Sequence, residues 1–340
     1  MAALKRIAID AMGGEGGVET TVPASLQALQ QNPDLHLILV GDEQRLQPCL
    51  HSAAVELRSR FSVVHSAKTI TDLDNPRDVL RSSRDSSLFL ATELVQKGEV
   101  EAMVSAGNTG AMLMAGRHLL KTIPGIQKPA IVATIPGARQ QSYLLDVGAN
   151  LQCDAQQLFE FAVMGSVLAE SLAGHSCTVG LLNIGEEQYK GTEEVRAAAD
   201  MLEACEELHY IGFVEANALF EGLADVVVCD GFVGNVTIKS SAGVANVIKN
   251  LLAAQVEESL LTRLSGLSST SILSRLTEQI NPQRFNGASL LGLQGSMVKS
   301  HGNATTEGFF YAIQQAVREV EHAVPQLIAE RVAAIMAANN

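Results

Sequence analysis

Residues 102–111 read Ala102-Met103-Val104-Ser105-Ala106-Gly107-Asn108-Thr109-Gly110-Ala111: an apolar run, a short polar loop with two glycines, and the start of a helix-like stretch reaching Leu120. An unbroken apolar run of this length reads as a strand buried on both faces, the kind found in parallel sheets. Loops that leave such a strand and open a helix expose backbone N–H groups, and these are where α/β proteins bind anions. Asn108 and Thr109 would place donors beside the free N–H groups of the first turn, which suits a phosphate or a thioester carbonyl oxygen. Simple N-capping is the alternative reading.

The same pattern recurs outward from this stretch. It appears at Asp10-Ala11-Met12-Gly13-Gly14, at Asp146-Val147-Gly148-Ala149-Asn150, at Asn183-Ile184-Gly185 running on to Lys190-Gly191, and at Asp230-Gly231-Phe232-Val233-Gly234-Asn235. Five such loops suggest one shared crevice. Apolar, β-branched runs lie at 7–10, 35–41, 61–65, 102–105, 130–135, 143–147, 178–184, 210–214 and 226–229. Helix-like stretches at 154–172, 192–208 and 236–252 alternate with them, and Asp154 and Thr192 read as N-caps. The expected fold is therefore α/β, a mainly parallel sheet with helices on both faces. Residues 1–340 contain no linker and no repeat, so one continuous catalytic unit is expected, with a division into two lobes left open. The stretch 305–338 reads as helical, broken or kinked by Pro325.

Composition narrows the function classes. Hydrophobic residues make up 47% of the 340, charged residues 18%, and tryptophan is absent, as expected of a packed globular chain. A formal net charge of −13 argues against general nucleic-acid binding. The cysteines (Cys49, Cys153, Cys177, Cys205, Cys229) form no C-x-x-C pair, so no zinc knuckle and no thioredoxin motif is expected, and no metal. Their odd number, and a start at Lys5-Arg6-Ile7 that does not read as a secretory signal, point to a reducing cytoplasm. No run approaches the roughly 20 apolar residues of a membrane span.

The segment at about 256–281 differs from the rest. Val256, Leu260, Leu264 and Leu267 share one helical face, and Ile272, Leu273, Leu276 and Ile280 follow Ser268-Ser269-Thr270. This reads as an amphipathic helical hairpin whose partner is the core, a second subunit or a membrane surface. Arg263, Arg275 and Arg284 lie on or beside it.

Several motifs are absent. There is no G-x-x-x-x-G-K-[ST], no G-x-S-x-G, and Gly13-Gly14-Glu15-Gly16-Gly17 does not complete G-x-G-x-x-G because Glu19 takes the last position. Asp146 and Asp230 end strands beside glycines and either hold loops or meet a ligand. Asn150 and Asn235 are neutral donors, useful where an anion must bind without carboxylate repulsion. Lys190 stands between Gly185 and Gly191 in a loop with Glu186 and Glu187, and His301-Gly302-Asn303-Ala304-Thr305 offers an imidazole at another helix start.

Taken together, Asp10–Gly14, Ser105–Ala111, Asp146–Asn150, Lys190-Gly191, residues 224–235 and His301-Gly302, in this order, resemble the acyl-carrier-protein:phosphate acyltransferase family (PlsX) of bacterial phospholipid synthesis. The resemblance runs from about residue 7 to 323. It implies transfer of a long-chain fatty acyl group from acyl carrier protein to inorganic phosphate, with no organic cofactor. It also implies a homodimer and a fold similar to phosphate acetyltransferases and isopropylmalate-dehydrogenase-like proteins. Such proteins are cytoplasmic with peripheral membrane contact, which makes the hairpin a membrane or dimer element carrying Leu260, Leu264, Leu267, Ile272 and Leu276. A membrane acyltransferase is then a further candidate partner. Two positions depart from the family pattern: Glu15 stands where aspartate is common, and Glu215-Ala216-Asn217-Ala218 stands where many members read Glu-Gly-Arg-Asp.

The expected mechanism places phosphate and thioester against Asp10, Gly13, Gly14, Ser105, Asn108, Thr109, Asp146, Asn150 and Asp230. Lys190 balances charge on phosphate or oxyanion, Asn235 fixes the thioester, and His301 protonates the departing thiolate. Lys239, Lys249, Arg263, Arg275 and Lys299 are candidates for docking an acidic carrier protein. The rivals are a hydroxy-acid dehydrogenase and a non-catalytic scaffold that recruits the carrier to membranes.

Overall fold

Eleven strands form one sheet in the order β3-β2-β1-β4-β11-β10-β5-β6-β9-β7-β8. The strands are β1 (Lys5–Asp10), β2 (Leu35–Gly41), β3 (Phe61–His65), β4 (Ala102–Ser105), β5 (Ala130–Ile135), β6 (Ser142–Leu145), β7 (Thr178–Leu182), β8 (His209–Val214), β9 (Val226–Val228), β10 (Ala288–Leu291) and β11 (Ser296–Lys299). This computed structural model describes residues 4–51, 53–71, 73–76, 79–258 and 282–338. Leu260, Leu264, Leu267, Ile272 and Leu276 of the expected hairpin lie outside the described residues, as do Arg263 and Arg275.

The nine apolar runs all become strands, and their burial explains why. Val226, Val227 and Val228 are fully buried, as are Ile7, Ala8 and Ile9, because helices cover both faces. On one half, the Gly17–Gln31 and Thr306–Glu321 helices pack one face, and the Ser87–Gln96 and Thr109–Leu119 helices the other. On the other half, the Ala155–Ala173 and Val324–Ala338 helices bury the face that carries Val132, Leu145 and Val179. Helix starts are set by side chains: Asp154 and Gln157 form a reciprocal capping box, and Thr192 accepts from the N–H of Val195.

β5 and β10 depart from a purely parallel sheet. β10 is antiparallel to β11 and β5, and β5 is antiparallel to β6, whereas every other pairing is parallel. The parallel strands β3-β2-β1-β4-β11 therefore run opposite to β6-β9-β7-β8. The β10-β5 region is thus the seam at which strand direction changes across the sheet. The C-terminal helical stretch breaks at Ala323, which has φ +49, and Pro325 sits in the first turn of the last helix. Proline is tolerated there because the N–H groups of a first turn have no helical partner.

Candidate active site

Two clusters of loops flank this seam. In the first, strand register places Asp10, Ser105 and Lys299 in one row across β1, β4 and β11. Ser105 Oγ donates to Asp10 Oδ2 at 2.6 Å and accepts from the N–H of Gly107 at 2.9 Å. Asp10 is 2% exposed, and its Oδ1 is buried without a hydrogen-bond partner. Burial pushes its carboxyl above the usual range, against the pull of the Ser105 and Ser87 hydroxyls and the N–H groups of Met12 and Gly13. A Cβ on Gly13 would stand 2.7 Å from both Asp10 Oδ2 and the backbone nitrogen of Gly107, so only glycine allows the first loop to lie against the second. The N–H of Glu15 donates to Gly302 O at 2.8 Å, which ties in the His301 loop.

The second cluster is built on Asp146, which is fully buried. Its Oδ1 accepts from the N–H groups of Ile131 (3.0 Å), Gly148 (3.1 Å) and Ala149 (3.0 Å). Its Oδ2 accepts from the N–H of Asn150 at 2.7 Å and from Asn150 Nδ2 at 3.0 Å. Burial raises this carboxyl, and the N–H donors act against that rise. Asn150 Nδ2 also donates to Pro129 O at 2.8 Å, and Asn150 O accepts from the N–H of Gly231 at 2.7 Å. Asp230 Oδ1 accepts from the N–H of Val233 at 2.8 Å, which caps the Gly231–Glu258 helix. A Cβ on Gly234 would fall 1.9 Å from Asp146 O, so the helix start reaches the loop only through glycine.

Between the clusters lies a cavity of about 290 Å³, lined among others by Thr109, Gly148, Asn235, Lys239, Lys299 and His301. At ~30 Å³ per water of liquid volume, it has room for a phosphate and the head of a second reactant. Lys299 Nζ donates to Ala106 O at 3.2 Å and to Ser300 O, which fixes the ammonium at the first cluster. Burial, then the nearby charges of Lys299 and Lys239, push the His301 imidazole below its ordinary value. His301 is therefore a neutral ring at neutral pH, able to accept at one nitrogen and donate at the other. Asn286 clamps the loop: its Oδ1 accepts from the N–H of His301 at 3.1 Å, and its Nδ2 donates to Ser300 Oγ at 2.9 Å.

Of the residues expected from the sequence, Thr109, Asn235 and His301 line this cavity. The side chains of Asp10, Ser105, Asn108, Asp146, Asn150 and Asp230 instead hold the loops that form its walls. Asn108 Oδ1 caps the N–H of Ala111 at 3.0 Å, and its Nδ2 donates to Thr71 O and Asp74 O. Gly13 and Gly14 supply close packing and, at Gly14, a φ of +81. Lys190 is not among the lining residues, and its Nζ pairs with Glu187 in its own loop at 2.6 Å. Asn286 is not among the residues the sequence singles out, and Lys239 and Lys299, expected as docking cations, line the cavity. The signal available was their position: Lys239 one turn beyond Asn235, and Lys299 two residues before His301.

Among the described residues, no group of three or more His, Cys, Asp or Glu could hold a metal, and no helix is long and apolar enough to cross a membrane.

Residues 5–327 match the sequence profile of a family described as fatty acid synthesis protein. The phosphate acyltransferase of Halorhodospira halophila is 46% identical over 333 residues, covering 98% of this chain and 97% of that protein. That of Alkalilimnicola ehrlichii is 47% identical over 334 residues, covering 98% and 97%. Among solved structures, a phosphotransacetylase from Streptococcus pyogenes superposes with a TM-score of 0.59 at 15% identity, covering 97% of this chain and 94% of that one. The EutD phosphotransacetylase from Staphylococcus aureus superposes with a TM-score of 0.57 at 18% identity, covering 95% and 94%. At these identities the two structures speak for the fold alone.

Proposed function

The chain belongs to the fatty acid synthesis protein family, and we propose that it is an acyltransferase moving a long-chain fatty acyl group from acyl carrier protein to inorganic phosphate. The observation that carries this is a cavity lined by two lysines and a histidine held neutral, walled by two latched loop clusters, in a chain so similar to phosphate acyltransferases.

The chemistry balances without a cofactor. An oxygen of HPO₄²⁻ attacks the thioester carbonyl carbon, and the C–O bond forms as the carbonyl oxygen takes on negative charge. That tetrahedral intermediate collapses, the C–S bond breaks, and the thiolate departs. The proton carried in by phosphate ends on sulfur, giving acyl phosphate and free thiol. A thiol pKa of about 8.5 makes the thiolate a good leaving group, so the protein's main tasks are positioning and charge compensation.

Lys299 and Lys239 hold the phosphate dianion at the carbonyl. Thr109 and the first-turn N–H groups beside it, with Asn235 on the opposite wall, face the developing oxyanion. His301, neutral and clamped through Asn286, relays the phosphate proton to sulfur. Asp10, Asp146 and Asn108 act one step back, by holding the walls. Lys190 stays with Glu187.

The reading also includes a homodimer and a cytoplasmic protein in peripheral contact with the membrane, with a membrane acyltransferase as onward partner for the acyl phosphate. The support here is the family resemblance and the apolar pattern at 256–281. Incubation with acyl carrier protein thioester and phosphate tests the reaction. Phosphate-dependent release of carrier thiol, with acyl phosphate trapped by hydroxylamine, is the expected result. Carrier binding without product would make the protein a scaffold, and phosphate-independent reduction of NAD would make it a dehydrogenase.

A further inference from the structure

A second cavity, of about 1090 Å³, adjoins the first. Its lining includes Ala138, Phe220, Val244, Ala245, Ile248 and Phe285, and none of its described lining residues is charged. Phe285 lines both cavities. So does a single helical face: Ile238 faces the cationic cavity, and Ser241, Ala245 and Ile248 follow it at spacings of three, four and three along the Gly231–Glu258 helix. Ten residues of helix span roughly 15 Å, so the face forms a continuous track leading away from Lys239. Val244 is 60% exposed and Ile248 46%, a high exposure for large apolar side chains. The opposite wall is held in place: the turn after β5 is pinned by Ala138 N–H donating to Phe220 O at 2.8 Å.

A cationic pocket and an uncharged groove that share Phe285 and one helical face match one class of ligand, an anionic head carrying a hydrocarbon tail. We propose that the acyl chain of donor and product lies in this groove, with Phe285 at the bend between head and tail and Ala245 and Ile248 setting the chain length accepted. The inference rests on the acyl-transfer reading for the identity of the tail. It goes beyond that reading in assigning the tail's place and the residues that measure it.

Calorimetric binding of butyl phosphate and hexadecyl phosphate tests the groove directly. Burying one methylene is worth ~0.8 kcal/mol, roughly fourfold in affinity, so hexadecyl phosphate should bind at least ~100-fold more tightly, with a negative heat-capacity change. Ala245→Phe, which fills the groove, should collapse that preference to within about threefold. It should also collapse the ratio of kcat/KM for hexadecanoyl over butanoyl carrier thioester. Should Ala245→Phe fail to fold, Val244→Ser and Ile248→Ser serve instead, since both positions are exposed, and they should weaken the preference in the same direction. Equal affinity for the two alkyl phosphates would overturn the proposal. So would a preference untouched by these changes, or a groove shown by sedimentation of Ala245→Phe to be the contact with a second copy of the chain. Acyl phosphate formation without dependence on Ala245 would remove the groove and leave the reaction. Tail-length preference without acyl phosphate would remove the reaction and leave the groove.

Discussion

Asp10 and Asp146 read alike in sequence, each an aspartate at the end of an apolar strand followed closely by glycine, yet the structure uses them differently. Asp146 is fully buried and receives five N–H bonds from Ile131, Gly148, Ala149 and Asn150. Asp10 is almost as buried and receives the Ser105 hydroxyl at Oδ2, with weaker pulls from Ser87 and the N–H groups of Met12 and Gly13, while Oδ1 has no well-formed hydrogen bond. Burying a carboxylate costs free energy unless donors compensate for lost water. Asp146 draws donors to both oxygens and acts as a latch for the second cluster, although burial still holds its carboxyl above the usual range. Asp10 is under-compensated, so its charged form weakens the fold.

The largest effect separating the two comes from removing the charge at each. Asp146→Asn turns an acceptor oxygen into an amine among N–H donors, and should lower unfolding free energy by about 3 kcal/mol. Asp10→Asn keeps an acceptor for Ser105 and places its amine where Oδ1 has no partner, so the change should stay within about 1 kcal/mol. Chemical denaturation measures both. Equal losses would erase the distinction.

Glycines give a smaller contrast within the second cluster. Gly234→Ala drives a Cβ to 1.9 Å from a backbone oxygen, whereas at Gly148 the nearest atom beyond the adjoining chain is 3.6 Å away. Gly234→Ala should cost about 2–3 kcal/mol through backbone displacement. Gly148→Ala should cost less and only through its φ of +133. Thermal denaturation of the two variants gives the comparison.

Burial raises both carboxyls, so pH acts on the two in the same direction, and substitution at Asp10 isolates one of them. The folded-state pKa of Asp10 is raised, so the group favours folding below its unfolded pKa and loses that contribution as pH rises through the folded value. The stability of Asp10→Asn relative to the parent chain should therefore climb as pH rises from about 4 towards neutrality. A flat difference would show that Asp10 is not under-compensated. Smallest of all, Lys239→Gln should move the His301 imidazole pKa upward toward its ordinary value, as read by NMR titration, because one of the charges that depresses it is gone.

The sheet was largely legible in sequence because nine strands are apolar, β-branched runs, buried on both faces except at the edge strands β3 and β8. β10 and β11 were not, being the four-residue runs Ala288-Ser289-Leu290-Leu291 and Ser296-Met297-Val298-Lys299, each with polar residues and glycines nearby. Those two strands carry part of the antiparallel seam and deliver Lys299 and His301, so the sequence marked both residues but not the strands that bring them to one cavity. Asn108 and Asp146 announced a loop, but only the positions of their N–H partners show that the side chains are spent on holding it. Lys190 illustrates the same limit. Gly191 adopts φ +91 and a Cβ there would lie 2.4 Å from Asn183 Oδ1, so the glycine that made this loop resemble a ligand site answers to the turn itself.

The most direct test of the account is the phosphate KM of acyl-phosphate formation in Lys239→Ala, Lys299→Ala and Lys190→Ala. Loss of one charge-assisted contact to the dianion, ~1.5–3 kcal/mol, should raise the phosphate KM at least tenfold in each of the first two. Lys190→Ala should leave it within about twofold. A phosphate KM that rises in Lys190→Ala and holds steady in Lys239→Ala and Lys299→Ala would contradict the assignment of the cavity between the two clusters as the place where phosphate meets the thioester.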